Sequence, residues 1–336
     1  MGAAVTICAV AAVLTAASPR GPQYFVERAV RDHPSIHEVG ERVRISKGID
    51  PNRMMQFTGT HDAGAFPDDS DPSDADEFLK AAYADLAAEI RGTYAELASI
   101  RGQSQELRRS LDLTKSMVDL SHALYAEGKL DQAQPLEAHM DFLKLSDRLL
   151  LLDRREKIVA IRLNVLTGDR LDDPVPALEA LPDAVPELAV QDLIEDYKSR
   201  RFLNSFEQVI GADITASLGN VLHHGLDSLD VEATAFLSVA RISMDSLSVQ
   251  LRRCRESLIP ASEQAQAARL EAYKIGKSGF PELLKGLREL IEMRREYFEM
   301  LGDLHVVRAR VEAAIGRSLD PQPEHDMKNM PELSEK

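Results

Sequence analysis

The chain has 336 residues, with 40 Lys and Arg against 55 Asp and Glu and a formal net charge of −15. That balance speaks against a nucleic-acid partner, which needs clustered cations to displace counterions. Two cysteines exclude a disulfide framework or a cysteine-built zinc site. Aromatic residues make up 5% and Trp is absent, while 44% of the chain is hydrophobic. The apolar content is therefore mostly Leu, Ala, Val and Ile, the composition of long packed helices.

Met1 to Pro19 carries no charge, and an Ala- and Val-dominated run from Val5 ends in Leu14-Thr15-Ala16-Ala17-Ser18. Small residues there suit a signal-peptidase cut after Ala17, so residues 1–17 read as a signal peptide and the mature protein as extracytoplasmic. The run is short and Ala-rich for a membrane-spanning helix. Asp68 to Asp74 forms an acidic loop without EF-hand spacing.

From Asp74 to Glu127 there is no Pro, and two interleaved heptad sets run the length of the segment. Leu79, Leu86, Thr93, Ile100, Leu107, Thr114 and Ser121 form one; Tyr83, Ile90, Leu97, Ser104, Leu111, Val118 and Tyr125 form the other. This 3–4 alternation predicts a coiled-coil seam on a helix roughly 70 Å long. A second stripe, Leu113, Met117, Leu120 and Leu124, predicts a second neighbour. The pattern returns in Leu237, Ala240, Met244, Leu247, Leu251, Cys254, Leu258, Ala261, Ala265, Ala268, Ala272 and Ile275, with Pro260 predicting a kink. The two longest helices are thus expected at 76–127 and 230–275, each antiparallel to its successor.

Both long segments end alike. Tyr125-Ala-Glu-Gly128-Lys129 and Tyr273-Lys-Ile-Gly276-Lys277 lie 148 residues apart, and the same offset superposes Gly168 on Gly316, Leu171 on Leu319 and Asp172 on Asp320. Each half therefore holds a long helix, a Gly turn and a returning helix of about 36 residues, with Gly as a left-handed C-cap. Pro135 and Pro281 fall in the first turns of the returning helices. The expected organisation is a first hairpin repeat at 18–168, an Asp/Pro/Ala-rich linker at 169–188, a second repeat at 189–316 and a polar tail at 317–336.

At these hairpins the sequence resembles the TolC-like outer membrane efflux protein family, in its cobalt–zinc–cadmium branch. The likeness in the second half runs from Leu258-Ile-Pro-Ala-Ser-Glu through Ala272-Tyr273-Lys-Ile-Gly276-Lys277-Ser278-Gly-Phe280-Pro-Glu-Leu283-Leu284 to Arg288, Leu290, Arg294, Tyr297, Leu301, His305 and Gly316. In the first half it covers Tyr125 to Gly168, and upstream Ala29 to Pro34 resembles the family's first short helix. Ile49 to Phe57 resembles the entry to its first membrane strand. The resemblance implies a mainly all-α fold of two repeated antiparallel helical hairpins, and a homotrimer forming a periplasmic tunnel at the outer membrane. It also implies partnership with a periplasmic adaptor protein and an inner-membrane pump. The adaptor would dock at the helix tips, here Tyr125, Gly128, Lys129, Tyr273, Gly276, Lys277, Ser278, Leu283 and Leu284.

The sequence departs from that family in its strands. Phe57 leads almost directly into the acidic loop, and Ile214 to Leu222 is the one candidate in the second half. Spanning strands need about nine to eleven residues flanked by aromatic girdles, so no complete β-barrel is expected and at most short strands remain. The alternative reading is a soluble periplasmic helical scaffold or adaptor derived from the family without conducting activity. No catalytic triad, phosphate loop, zincin or dinucleotide motif occurs, so neither an enzyme nor a cofactor is expected. His223-His224 would point to opposite faces of a strand, Met54-Met55 reads as apolar strand surface, and His122 and His139, which flank the first turn and could meet across the hairpin, read as exposed polar positions.

Overall fold

The computed structural model describes residues 18–32, 72–199 and 229–319, excepting the side chains of 72–81, 198–199 and 229–230. The signal run, Cys8, the strand candidates, Met54-Met55, His223-His224, most of the acidic loop and the tail from 320 lie outside the described residues.

Among the described residues the fold is helical, with a single isolated bridge between Arg20 and Leu178. Helix α1 spans Pro22–Asp32, α2 Pro72–Ala126, α3 Ala133–Thr167 and α4 Val190–Ser199. Helix α5 spans Leu229–Arg253 and passes without a break through a π-helical turn, Cys254–Leu258, into α6, Ile259–Lys274; α7 spans Phe280–Ile315. The 55 residues of α2 extend about 80 Å. As the repeat predicts, α2 pairs with α3 and the α5–α6 helix with α7. Helix α2 packs along both α3 and α7, so the order across the molecule is α3, α2, α7, α5–α6. The result is an open sheet of helices with α3 at one edge and α5–α6 at the other.

The heptads of α2 hold this sheet together. Leu86, Thr93, Ile100, Leu107, Thr114 and Ser121 are all buried, as are Ile90, Leu97, Ser104 and Val118. Leu107, Leu145, Leu287 and Ile291 form one cluster that joins α2, α3 and α7. On the second half, Leu237, Ala240, Met244 and Leu251 pack against Leu301, Leu304 and Val311, and α4 adds Leu193 and Tyr197 to the same cluster.

The helix runs through Pro260 without stopping. The π turn just before it accommodates the ring, and the Ile259 amide donates to the Cys254 carbonyl five residues back. A π turn spends one residue more than an α turn, so the helical phase rotates there. The expected apolar stripe consequently stops facing inward: Leu258, Ala261, Ala265, Ala268 and Ile275 are exposed, and α6 buries no residue. Ser262, Gln266, Arg269 and Tyr273 are instead half-buried.

Residues 169–188, expected as a linker, run across the sheet as a strap. It leaves α3 where Asn164 donates to the Asp173 carbonyl (2.8 Å). Arg101 of α2 then donates to the carbonyls of Pro176 (2.8 Å) and Val175 (3.3 Å). Next, the Tyr94 hydroxyl meets the Glu179 and Arg20 carbonyls at 2.9 and 3.1 Å. On α7, the His305 Nε2–H donates to the Pro182 carbonyl (2.6 Å), and the Tyr297 hydroxyl reaches Asp183 (3.3 Å). Asp183 also pairs with Arg255 in the π turn, so the strap touches every long helix. Helix α1 lies beside it, burying Phe25, Val26 and Ala29 against α2 and α3.

Candidate functional site: the paired tips and open edges

The two Gly turns are built alike. Gly128 and Gly276 have φ of 73° and 71°. Each is followed by a Schellman pair of bonds: Gly128 N–H to the Tyr125 carbonyl and Lys129 N–H to Leu124, then Gly276 N–H to Tyr273 and Lys277 N–H to Ala272, at 2.8–3.0 Å. A Cβ at either glycine would meet nothing within 4 Å, so the left-handed φ alone selects Gly.

The turns also lie together at one end of the sheet. Val118 and Ala138 of the first hairpin share a core cluster with Phe280 and Leu284 of the second, with Leu130 and Tyr273 packed against it. The Tyr273 ring meets Phe280 edge-on at 6.1 Å. Burial raises the Tyr273 phenol pKa, while the nearby Lys129 ammonium pulls it down, a link between the two turns. Lys129 pairs with Glu127 at 2.6 Å on the open surface, and this hydrogen bond raises its pKa.

Of the residues expected at the docking tip, Tyr125, Gly128, Lys129, Gly276 and Lys277 are exposed, and Tyr273 and Ser278 are half-buried. Leu283 and Leu284 need correction, because both are buried in the tip and cannot present their side chains to another protein. Their place in the first turn of α7, beside Phe280, makes them the core on which the turns rest. Sequence position alone put them on the surface; the i, i+3 and i, i+4 spacing from Phe280 was the available signal.

Among the described residues nothing covers either edge of the sheet, and one edge is apolar. Leu136, Met140, Leu143, Leu150, Ile158, Ile161 and Val165 form an exposed apolar face down α3, at steps of three, four, seven and eight residues. Ile242 and Val249 are exposed on α5 at the opposite edge. Single exposed apolar residues are ordinary, whereas a continuous stripe marks a surface that another element covers. Sequence periodicity located α3 but could not say which of its faces the chain itself fills.

Among the described residues no group of three or more His, Cys, Asp or Glu side chains is placed to hold a metal, and His122 and His139 are exposed. Cys254 is buried with its thiol 3.7 Å from the Met293 carbonyl, and burial raises its pKa. No described helix is long and apolar enough to cross a membrane.

No protein-family profile matches the chain, and no curated protein does. Its fold is shared with solved outer-membrane proteins. The outer membrane protein VceC from Vibrio cholerae is 12% identical and superposes with a TM-score of 0.60, covering 88% of this chain and 96% of that one. A membrane protein from Pseudomonas aeruginosa, also 12% identical, gives 0.63 over 90% and 92%. CusC, described for transmembrane channel formation, is 10% identical and gives 0.58 over 88% and 92%. At such identities the likeness is one of fold, the TolC-like arrangement of two helical hairpins.

Proposed function

We propose that the chain is an outer-membrane-factor-like component of a tripartite efflux system. Three copies close edge to edge into a periplasmic tunnel of twelve long helices, and the tip around Gly128 and Gly276 meets a periplasmic adaptor that links the tunnel to an inner-membrane pump. The observation that carries this reading is the pairing of the tips. Two hairpins, built from helices far longer than a compact core needs, end side by side in identical glycine turns with Tyr125, Lys129 and Lys277 exposed. The fold likeness to solved outer-membrane channels and the uncovered apolar edge of α3 support it. Export by the N-terminal segment and association with the outer membrane belong to the same proposal.

The cargo class is metal ions or small molecules. The cobalt–zinc–cadmium branch rests on the hairpin residues that carry the family resemblance. Deleting the gene and measuring growth with cobalt, zinc, cadmium and a panel of small toxic compounds tests the function. Sensitivity to one class, restored by the wild-type gene, supports export of that class. Unchanged growth under every challenge, with the protein expressed, contradicts an efflux role.

A further inference from the structure

The two repeats do not keep one offset along their long helices. Near the tip the offset is 148, placing half-buried Ser262, Gln266 and Arg269 on buried Thr114, Val118 and Ser121. Above the π turn it is 147. There the buried Ala233, Leu237, Ala240, Met244 and Cys254 fall on Leu86, Ile90, Thr93, Leu97 and Leu107, every one of them buried. At 148 the same five would fall on Asp85, Glu89, Gly92, Glu96 and Glu106, four of them acidic. The π turn is the added residue, whereas α3 and α7 stay at 148, with Leu163, Leu166 and Thr167 matching buried Val311, Ala314 and Ile315.

With this register, the seam between α2 and α7 has a counterpart that the described residues of one chain do not form. On α2, Gly102 receives the Phe298 ring and the Ala95 carbonyl lies against Gly302. Their equivalents on α5 are Val249 and Ile242, exposed at 63% and 64%. On α7, the residues Leu284, Ile291 and Phe298 correspond to Leu136, Leu143 and Leu150 on α3, exposed at 54%, 48% and 67%. Each half of the missing seam is present, at opposite edges of the sheet.

We infer that a second copy of the chain completes it: α3 of one copy packs on α5 of the next in the register of the α2–α7 seam, with Leu150 of one copy over Val249 of its neighbour. This rests on the ring proposed above and adds its register and the role of the π turn. Without the added residue, Ile242 and Val249 would rotate about 100° away from the partner. Unlike edges that meet head to tail give a heterologous contact, which closes into a ring when the rotation allows.

Disulfide trapping tests this, since a bridge forms only where Cβ atoms come within about 4.5 Å. In a Cys254→Ala background, the mature protein with Leu150→Cys and Val249→Cys is oxidised and compared with Leu150→Cys plus Gln250→Cys, the pair that a uniform 148 offset selects. The expected result is a ladder of covalently linked chains for the first pair and a clearly lower yield for the second. Equal yields, or the reverse order, overturn the register. A multi-chain native mass with neither pair linking overturns the seam but leaves the ring; a single-chain mass overturns both.

Discussion

The ring of Phe298 in α7 lies over the bare α-carbon of Gly102 in α2, so closely that a β-carbon there would overlap its atoms. One turn away, a β-carbon on Gly302 would strike Ser99, whose hydroxyl donates to the Phe298 carbonyl at 2.7 Å. The central seam of the sheet thus depends on two glycines, one on each helix. Gly102→Ala gains about 1 kcal/mol of helix propensity but overpacks a filled seam, which costs about 1–3 kcal/mol. Gly102→Val adds a whole isopropyl group and should be clearly destabilising by urea unfolding, with Ala between it and the wild type.

Glu312 ties three segments together. It is almost wholly buried and accepts from Arg91 of α2 (3.1 Å), Arg308 one turn before it (3.1 Å) and the Leu319 amide beyond the helix (3.0 Å). Glu312→Ala removes the anion from between two guanidiniums and should cost about 3–5 kcal/mol. Glu312→Gln keeps one acceptor oxygen and should lose less. Thermal unfolding of the two variants beside the wild type checks the ranking.

Tyr94 anchors the strap, and burial, with the Glu179 carboxylate nearby, pushes its pKa up to about 12 from 10. The folded state therefore favours the protonated phenol. Its contribution is complete below pH 10 and is lost as pH rises toward 12. Tyr94→Phe should lower stability at pH 8 by about 1 kcal/mol, the usual worth of such a hydrogen bond. The same variant should flatten the decline in stability between pH 10 and 12, read by denaturant midpoints across that range.

Helix α6 buries no residue and is held to the sheet largely by polar links. Arg294 joins it to α7 and α2 through Glu263 (2.5 Å) and Glu106 (3.4 Å), and Gln266 donates to the Leu283 carbonyl (3.2 Å). Few buried contacts mean a low free energy of local opening. Amide hydrogen exchange should be faster across 259–274 than across 86–107 of α2, and faster still at high salt, which screens the ion pairs.

Lys129 and Lys277 lie on the tip surface, and Lys129 already has Glu127 as a partner. Changing both to Glu should leave helicity unchanged, because exposed pairs contribute at most about 1 kcal/mol. If the tip receives the adaptor, pull-down by the double variant should fall several-fold relative to wild type. Equal recovery, with identical circular dichroism, would remove the lysines from the docking surface.

Much of this fold is readable in the sequence, because coiled-coil seams announce themselves by spacing and the duplication supplies its own control. The heptads at Leu86 to Ser121 and the glycines at 128, 168, 276 and 316 define four long helices and their turns, and all four glycines take a left-handed φ. What stayed hidden depends on a single residue of phase or on backbone carbonyls. The apolar spacing through Leu258, Ala261 and Ala265 reads as a seam, yet the π turn ahead of Pro260 rotates it to the surface. The strap at 169–188 makes its bonds largely through main-chain oxygens, which its Pro- and Asp-rich composition does not reveal. Leu283 and Leu284 follow a turn in sequence but fill its core in space.

In the proposed ring the exposed edges of identical chains close on one another. Native mass spectrometry of the mature protein, extracted in detergent from membranes, tests it most directly. The expected species has three chains and falls to one when Leu143 and Leu150 on the exposed face of α3 are both changed to Glu. A wild-type protein that carries the mass of a single chain, at concentrations where it remains folded, would contradict it.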